Sequence, residues 1–115
     1  MHRLLVALFL AVILLPQSSQ AIPIATFLQR PQNEQQAYVA GATSMLAFTE
    51  GVAGRSTRMN CITGWYRGQG GDQLFAALKL DSAAFKTRFG FDRDGNNGHV
   101  ELVLLRLASD ACPTK

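Results

Sequence analysis

Few residues in this 115-residue chain are of the types that make or break bonds. Nucleophilic catalysis needs a nucleophile, a base within hydrogen-bond reach and a third group that orients the base. Beyond the first three residues the only histidine is His99, and the hydroxyls of Ser44, Ser56, Ser82 and Ser109 stand outside any Gly-x-Ser-x-Gly pattern. A small hydrolase using His99 with Asp92 or Asp94 is the enzymatic reading. Those two aspartates, in the run Asp92-Arg93-Asp94-Gly95-Asn96-Asn97-Gly98, read more simply as turn formers. Asp92, Asp94 and Asn96 match the first, third and fifth positions of a calcium loop. The sixth is Asn97 instead of glycine, and the twelfth is Val103, with Glu101 two places early. One histidine cannot assemble the several convergent ligands a metal needs. Gly68-Gln69-Gly70-Gly71 lacks the Gly-Lys-Ser/Thr of a phosphate loop. No catalytic, cofactor-binding or metal-ligating residues are expected, and no cofactor.

The group that remains is Trp65-Tyr66-Arg67, three consecutive residues of the types that dominate protein-binding hot spots. Each combines a large contact area with a polar handle. Glycines flank them, and Cys61 lies four residues before. Trp65 is expected to fill a small core; Tyr66 and Arg67 are the better candidates for an exposed contact with a partner.

The cysteines depend on the compartment. Met1-His2-Arg3 precedes Leu4 to Leu15, which contains no polar side chain, and Ser19 and Ala21 supply small residues before a cleavage point. A basic start, a short apolar run and small residues at the end are the parts of a secretory signal peptide. The run is shorter than the roughly 20 residues that span a bilayer. Residues 1–21 are therefore expected to be removed, leaving 94 residues, with ten basic against eight acidic, as a single domain. A near-neutral balance with scattered charges suits neither nucleic acid nor an anionic membrane surface. Export favours a disulfide between Cys61 and Cys112, whose spacing is unlike a redox Cys-x-x-Cys pair. Closing a loop of that length stabilises a small domain by roughly 4 kcal/mol in the chain-entropy model.

The elements that hold these residues read as helices. Residues 22–32, with Pro23 and Pro31, form a flexible arm. Asn33 caps a helix with Glu34 in its first turn, and Tyr38, Gly41 or Ala42, Met45, Phe48 or Thr49, and Val52 recur at helical spacing. Gly41 costs helix stability, but leaves room for another helix to approach. The helix stops near Gly51 or Gly54. Residues 51–71 hold six of the ten glycines and read as irregular. Asp72 caps a helix through Leu74, Phe75 and Leu78. Asp81-Ser82 starts another, ended by Gly90. The last helix, from about Gly98 to Ala111, aligns Val100, Val103, Leu104, Leu107, Ala108 and Ala111, and Leu102 and Leu105 widen its apolar surface. Pro113 prevents its continuation. No stretch alternates with the period of a strand. The expected fold is all-α: three to four helices and one disulfide.

The order of these parts resembles the small periplasmic amidase-immunity proteins of type VI secretion, the Rap/Tai family. More distantly it is similar to the HdeA type of acid-stress chaperone. The residues that carry the resemblance are Tyr38 and Gly41 in the first helix, Cys61, Leu74 in the helix after Asp72, and Cys112 in Ala111-Cys112-Pro113. Gln35-Gln36-Ala37 stands where such immunity proteins often carry an extra cysteine. The resemblance implies a periplasmic or extracellular binding protein that blocks a peptidoglycan-amidase toxin. The alternatives are an acid- or envelope-stress chaperone and a binding module for another target. Expected partners are another protein and a second copy of the chain; nucleic acid is not among them, and the mature form is not membrane-embedded.

Overall fold

A computed structural model describes residues 21–114, so the expected signal peptide lies almost wholly outside the described residues. Helices α1 (Ile24–Leu28), α2 (Gln32–Val52) and α3 (Ser56–Trp65) are followed by a π-helical turn, Tyr66–Gly70. From this turn α4 (Gly71–Leu78) runs on directly, and α5 (Ser82–Phe89) and α6 (Val100–Ala111) complete the chain. Among the described residues there is no strand, only an isolated antiparallel bridge between Pro23 and His99. No helix among them is long and apolar enough to cross a membrane. The all-α architecture matches the sequence reading; the number and bounds of its helices do not.

The arm is not a flexible one. Ile24 and Phe27 on α1 are fully buried in the main core. Backbone hydrogen bonds from Ile24 N to Gly98 O (2.8 Å) and from Val100 N to Ile22 O (3.2 Å) stitch the segment to the entry of α6. Burying two large apolar side chains outweighs the turn-forming tendency of the flanking prolines. Helix α2 then begins at Gln32 on a Pro31 cap, so Asn33 lies inside the helix, with Glu34 in the first turn as its charge favours. The α2–α3 turn passes through Gly54, whose φ of 83° suits only a residue without a Cβ.

The glycine-rich stretch is helical as well. Residues 56–78 stay in helical dihedrals through the π turn, and Asp72 lies within this continuous run instead of capping it. Local glycine content is overridden because Ile62 is completely buried and Arg58 and Cys61 are tied to the end of α6. Helix α5 follows its sequence signals closely. The Asp81 side chain accepts from Ala84 N at 2.9 Å, and Gly90 ends the helix with a φ of 82°.

Two clusters form the interior. Phe27, Val39, Leu74, Leu78, Phe85 and Val103 are among the residues of the larger one. Ala47, Ile62, Ala108 and Cys112 form the smaller one, and Trp65 packs against both. Helix α6 buries Val100, Val103, Leu104, Leu107 and Ala108, but Ala111 is exposed. The Cys61–Cys112 disulfide, with Cα atoms 5.9 Å apart, fastens α3 to the end of α6.

Helix α2 turns a different face inward from the one its apolar spacing suggests. Gln35, Val39, Thr43, Ala47 and Glu50 are buried, whereas Met45, Phe48 and Val52 stand in solvent. The buried polar side chains are all satisfied. Gln35 Nε2 donates to Leu28 O (3.3 Å) and Arg30 O (2.8 Å), and Thr43 Oγ1 donates to Val39 O (2.8 Å). Glu50 accepts from both Arg55 and Arg58. Hydrogen-bonded polar groups can therefore occupy the inner face without the cost of unpaired burial.

Candidate functional site

The site is built around the π turn. Such turns insert one extra residue into a helix, re-phasing the side chains on either side, and are frequent where a helix serves a function. Here the insertion separates Trp65, which faces the two cores, from Tyr66 and Arg67, which face a groove. A Cβ on Gly70 would lie 2.6 Å from the Trp65 ring, so the indole seats directly over a residue that must lack a side chain. Trp65 Nε1 then donates to Gln73 Oε1 (3.1 Å), one turn into α4. Gln73 Nε2 reaches back towards Gln69 Oε1 (3.4 Å). The tryptophan thus clasps the two ends of the π turn together.

The groove has a volume of about 910 Å³. One wall carries Tyr66, Arg67, Asp72, Phe75 and Lys79 from the π turn and α4; the other carries Leu28, Arg30, Gln35 and Gln36 from the α1–α2 corner. The bonds from Gln35 to the Leu28 and Arg30 carbonyls fix that corner. Arg30, Arg67 and Lys79 outnumber Asp72, so the groove has a cationic rim around an aromatic wall. Tyr66 is half-buried against the main core, and burial raises its phenol above the ordinary value of 10.0. It is therefore a neutral hydroxyl under physiological conditions, able both to donate and to accept. Arg67 is exposed. The groove thus sets one half-buried phenol beside exposed cationic side chains.

The chain was compared with protein-family models, with curated proteins and with solved structures. None matches.

The residues singled out from sequence are partly gathered here. Tyr66 and Arg67 line the groove, Trp65 supports it from behind, and Cys61, mid-way along α3, is bonded to Cys112 at the end of α6. Tyr38, Gly41 and Leu74 play other parts. Tyr38 donates to Glu101 on α6, Gly41 is exposed, and Leu74 is fully buried. His99 and the aspartates are not brought together by any hydrogen bond. Asp92 pairs with Lys86 (3.3 Å) and Asp94 with Arg93 (3.4 Å), while His99 starts α6 with its Nδ1 buried and unpartnered.

Sequence reading missed Arg30, Lys79 and Gln35, which only the fold brings beside Tyr66. It also missed the ion network behind the disulfide. Arg58 donates from Nη1 to Glu50, from Nε to Cys112 O (2.9 Å) and from Nη2 to Ser109 Oγ (3.2 Å). The signal was there in Glu50 and Arg58, set on either side of the Gly54 turn. The Arg55 hydrogen bond, with help from both guanidinium charges, holds the Glu50 carboxyl below its ordinary value despite the opposing effect of burial.

Proposed function

We propose that this chain is an exported binding protein and not an enzyme. In its most concrete form it is a periplasmic immunity protein that captures and blocks a peptidoglycan-amidase toxin. The observation that carries this reading is the groove walled by Tyr66 and Arg67 on a π turn held by Trp65. Hot-spot side chains on a pre-formed backbone bind without a large ordering cost. Three cations against one carboxylate favour a partner surface that brings its own carboxylates. The disulfide is compatible with an oxidising compartment, and the apolar start of the sequence supports export. The choice of an amidase rests on the sequence resemblance alone.

The test is protection of cells in which a secreted peptidoglycan amidase is directed to the periplasm. The parent chain should restore growth. The Tyr66→Ala/Arg67→Ala variant should protect at least about tenfold less well, since truncated hot-spot residues cost upwards of about 1–2 kcal/mol. Equal protection by the double variant, with both proteins equally abundant, would remove this groove as the contact.

A further inference from the structure

The two sulfurs of the disulfide are not equally placed. Cys61 is exposed, whereas Cys112 is only 2 % exposed. Both cysteines line a pocket of about 310 Å³, which shares no residue with the Tyr66–Arg67 groove. Arg55, Ser56, Thr57 and Arg58 also line it, and among the described residues no carboxylate does. Glu50 pairs with both arginines, but its side chain is withdrawn from solvent at 7 % exposure. Two guanidinium groups against one carboxylate leave the pocket cationic. Arg55, at 51 %, presents that charge to solvent.

We propose that Cys61 Sγ is a site of thiol–disulfide exchange, open to a small anionic thiol that enters this pocket. The incoming thiolate attacks Cys61 Sγ, the bond between the two cysteine sulfurs breaks, and its electron pair leaves on Cys112 Sγ. The products are a mixed disulfide on Cys61 and a thiolate on Cys112, so the exchange balances with the thiol as its sole co-reactant. Burial closes the other sulfur to attack. The Cys112 thiolate forms beside Arg58, whose Nε donates to the Cys112 carbonyl at 2.9 Å. A neighbouring cation stabilises a thiolate, and a stabilised thiolate leaves faster. Exposed disulfides belong to the labile class for the same chemical reasons.

The exchange proceeds from the folded domain. Arg58 ties α3 to the Cys112 carbonyl, to Ser109 Oγ on α6 and to Glu50 on α2. Ile62 on α3 clusters with Ala108 on α6. These contacts hold the two helices together when the covalent link opens. The modified chain is therefore a less stable form of the same fold. None of this depends on what occupies the Tyr66–Arg67 groove.

The oxidised protein, expressed from the full-length sequence, is treated with excess glutathione, an anionic thiol, or with cysteamine, a cationic one. Iodoacetamide traps the released thiol, and peptide mass mapping locates each adduct. Glutathione should be found on Cys61 and the alkyl group on Cys112, at least about tenfold over the reverse arrangement, a ratio that burial of one sulfur imposes. Each rate is divided by that thiol's rate on the urea-unfolded chain. So normalised, glutathione should react at least about threefold faster than cysteamine, the factor for one charge about 6 Å away in a water-like dielectric. Arg55→Gln leaves one guanidinium against one carboxylate and should bring the two thiols to parity. The parent's rate should stay level up to about 1 M urea, whereas exchange by way of global unfolding rises about fivefold over that range. Absence of an adduct, adducts divided equally between the cysteines, equal normalised rates for the two thiols in the parent, or a rate that climbs with urea overturns the proposal.

Discussion

At Gly70 a Cβ would meet the Trp65 ring at 2.6 Å, so the missing side chain sets how the indole sits. Gly70→Ala should therefore cost about 1–3 kcal/mol by overpacking. Chemical denaturation measures the loss, and tryptophan fluorescence should shift to the red as the ring is displaced. Glu50 supplies a pH dependence of known sign. Its folded pKa lies below the ordinary 4.5, so the stabilisation it contributes is complete above that pH and disappears as pH falls through the folded value. Glu50→Gln should be less stable than the parent at neutral pH, and the two melting curves should converge as the solution is acidified. A constant gap down to strongly acid pH would contradict the network. At this scale the sequence was informative where residue type alone carries meaning. Trp65-Tyr66-Arg67 stood out because of what those side chains are. Arg58 did not, because its partners at Glu50, Ser109 and Cys112 are joined to it only by folding.

At the scale of elements, patterning succeeded where one strong local signal acts and failed where tertiary burial competes with it. Helix α5 was legible from Asp81 and Gly90, and α6 from its apolar period. The stretch around residues 56–71 was misread because glycine density is a local cost, which the buried Ile62, the disulfide and the Trp65–Gly70 approach offset. In α2 the apolar residues Met45, Phe48 and Val52 mark the outer face, and the inner face holds polar residues satisfied by nearby groups at the two helix ends and within the helix, which an apolar period does not reveal. Helix α1 was missed because five residues between prolines show no period. Its importance is open to measurement. Phe27 is wholly buried, so Phe27→Ala should destabilise the domain by about 3–5 kcal/mol. A change within about 0.5 kcal/mol, the range of surface substitutions, would mean the arm is dispensable.

At the scale of the whole molecule, a small domain is held by two modest cores, one covalent link and a short N-terminal clasp. Cys61→Ser/Cys112→Ser should lower stability by roughly 4 kcal/mol, read by denaturant unfolding against the oxidised parent. The loss falls on the packing of α3 against α6, so the Trp65 side of the groove should loosen before the α5 aromatic cluster, where Phe85 and Phe89 lie 4.7 Å apart. The central claim concerns the groove. It is tested most directly by titrating this protein into peptidoglycan hydrolysis by a secreted peptidoglycan amidase. The account predicts that hydrolysis stops at one chain per amidase, and that the Tyr66→Ala/Arg67→Ala variant needs at least about tenfold more. Undiminished hydrolysis with the parent in excess, or inhibition by the double variant equal to the parent's, would contradict it.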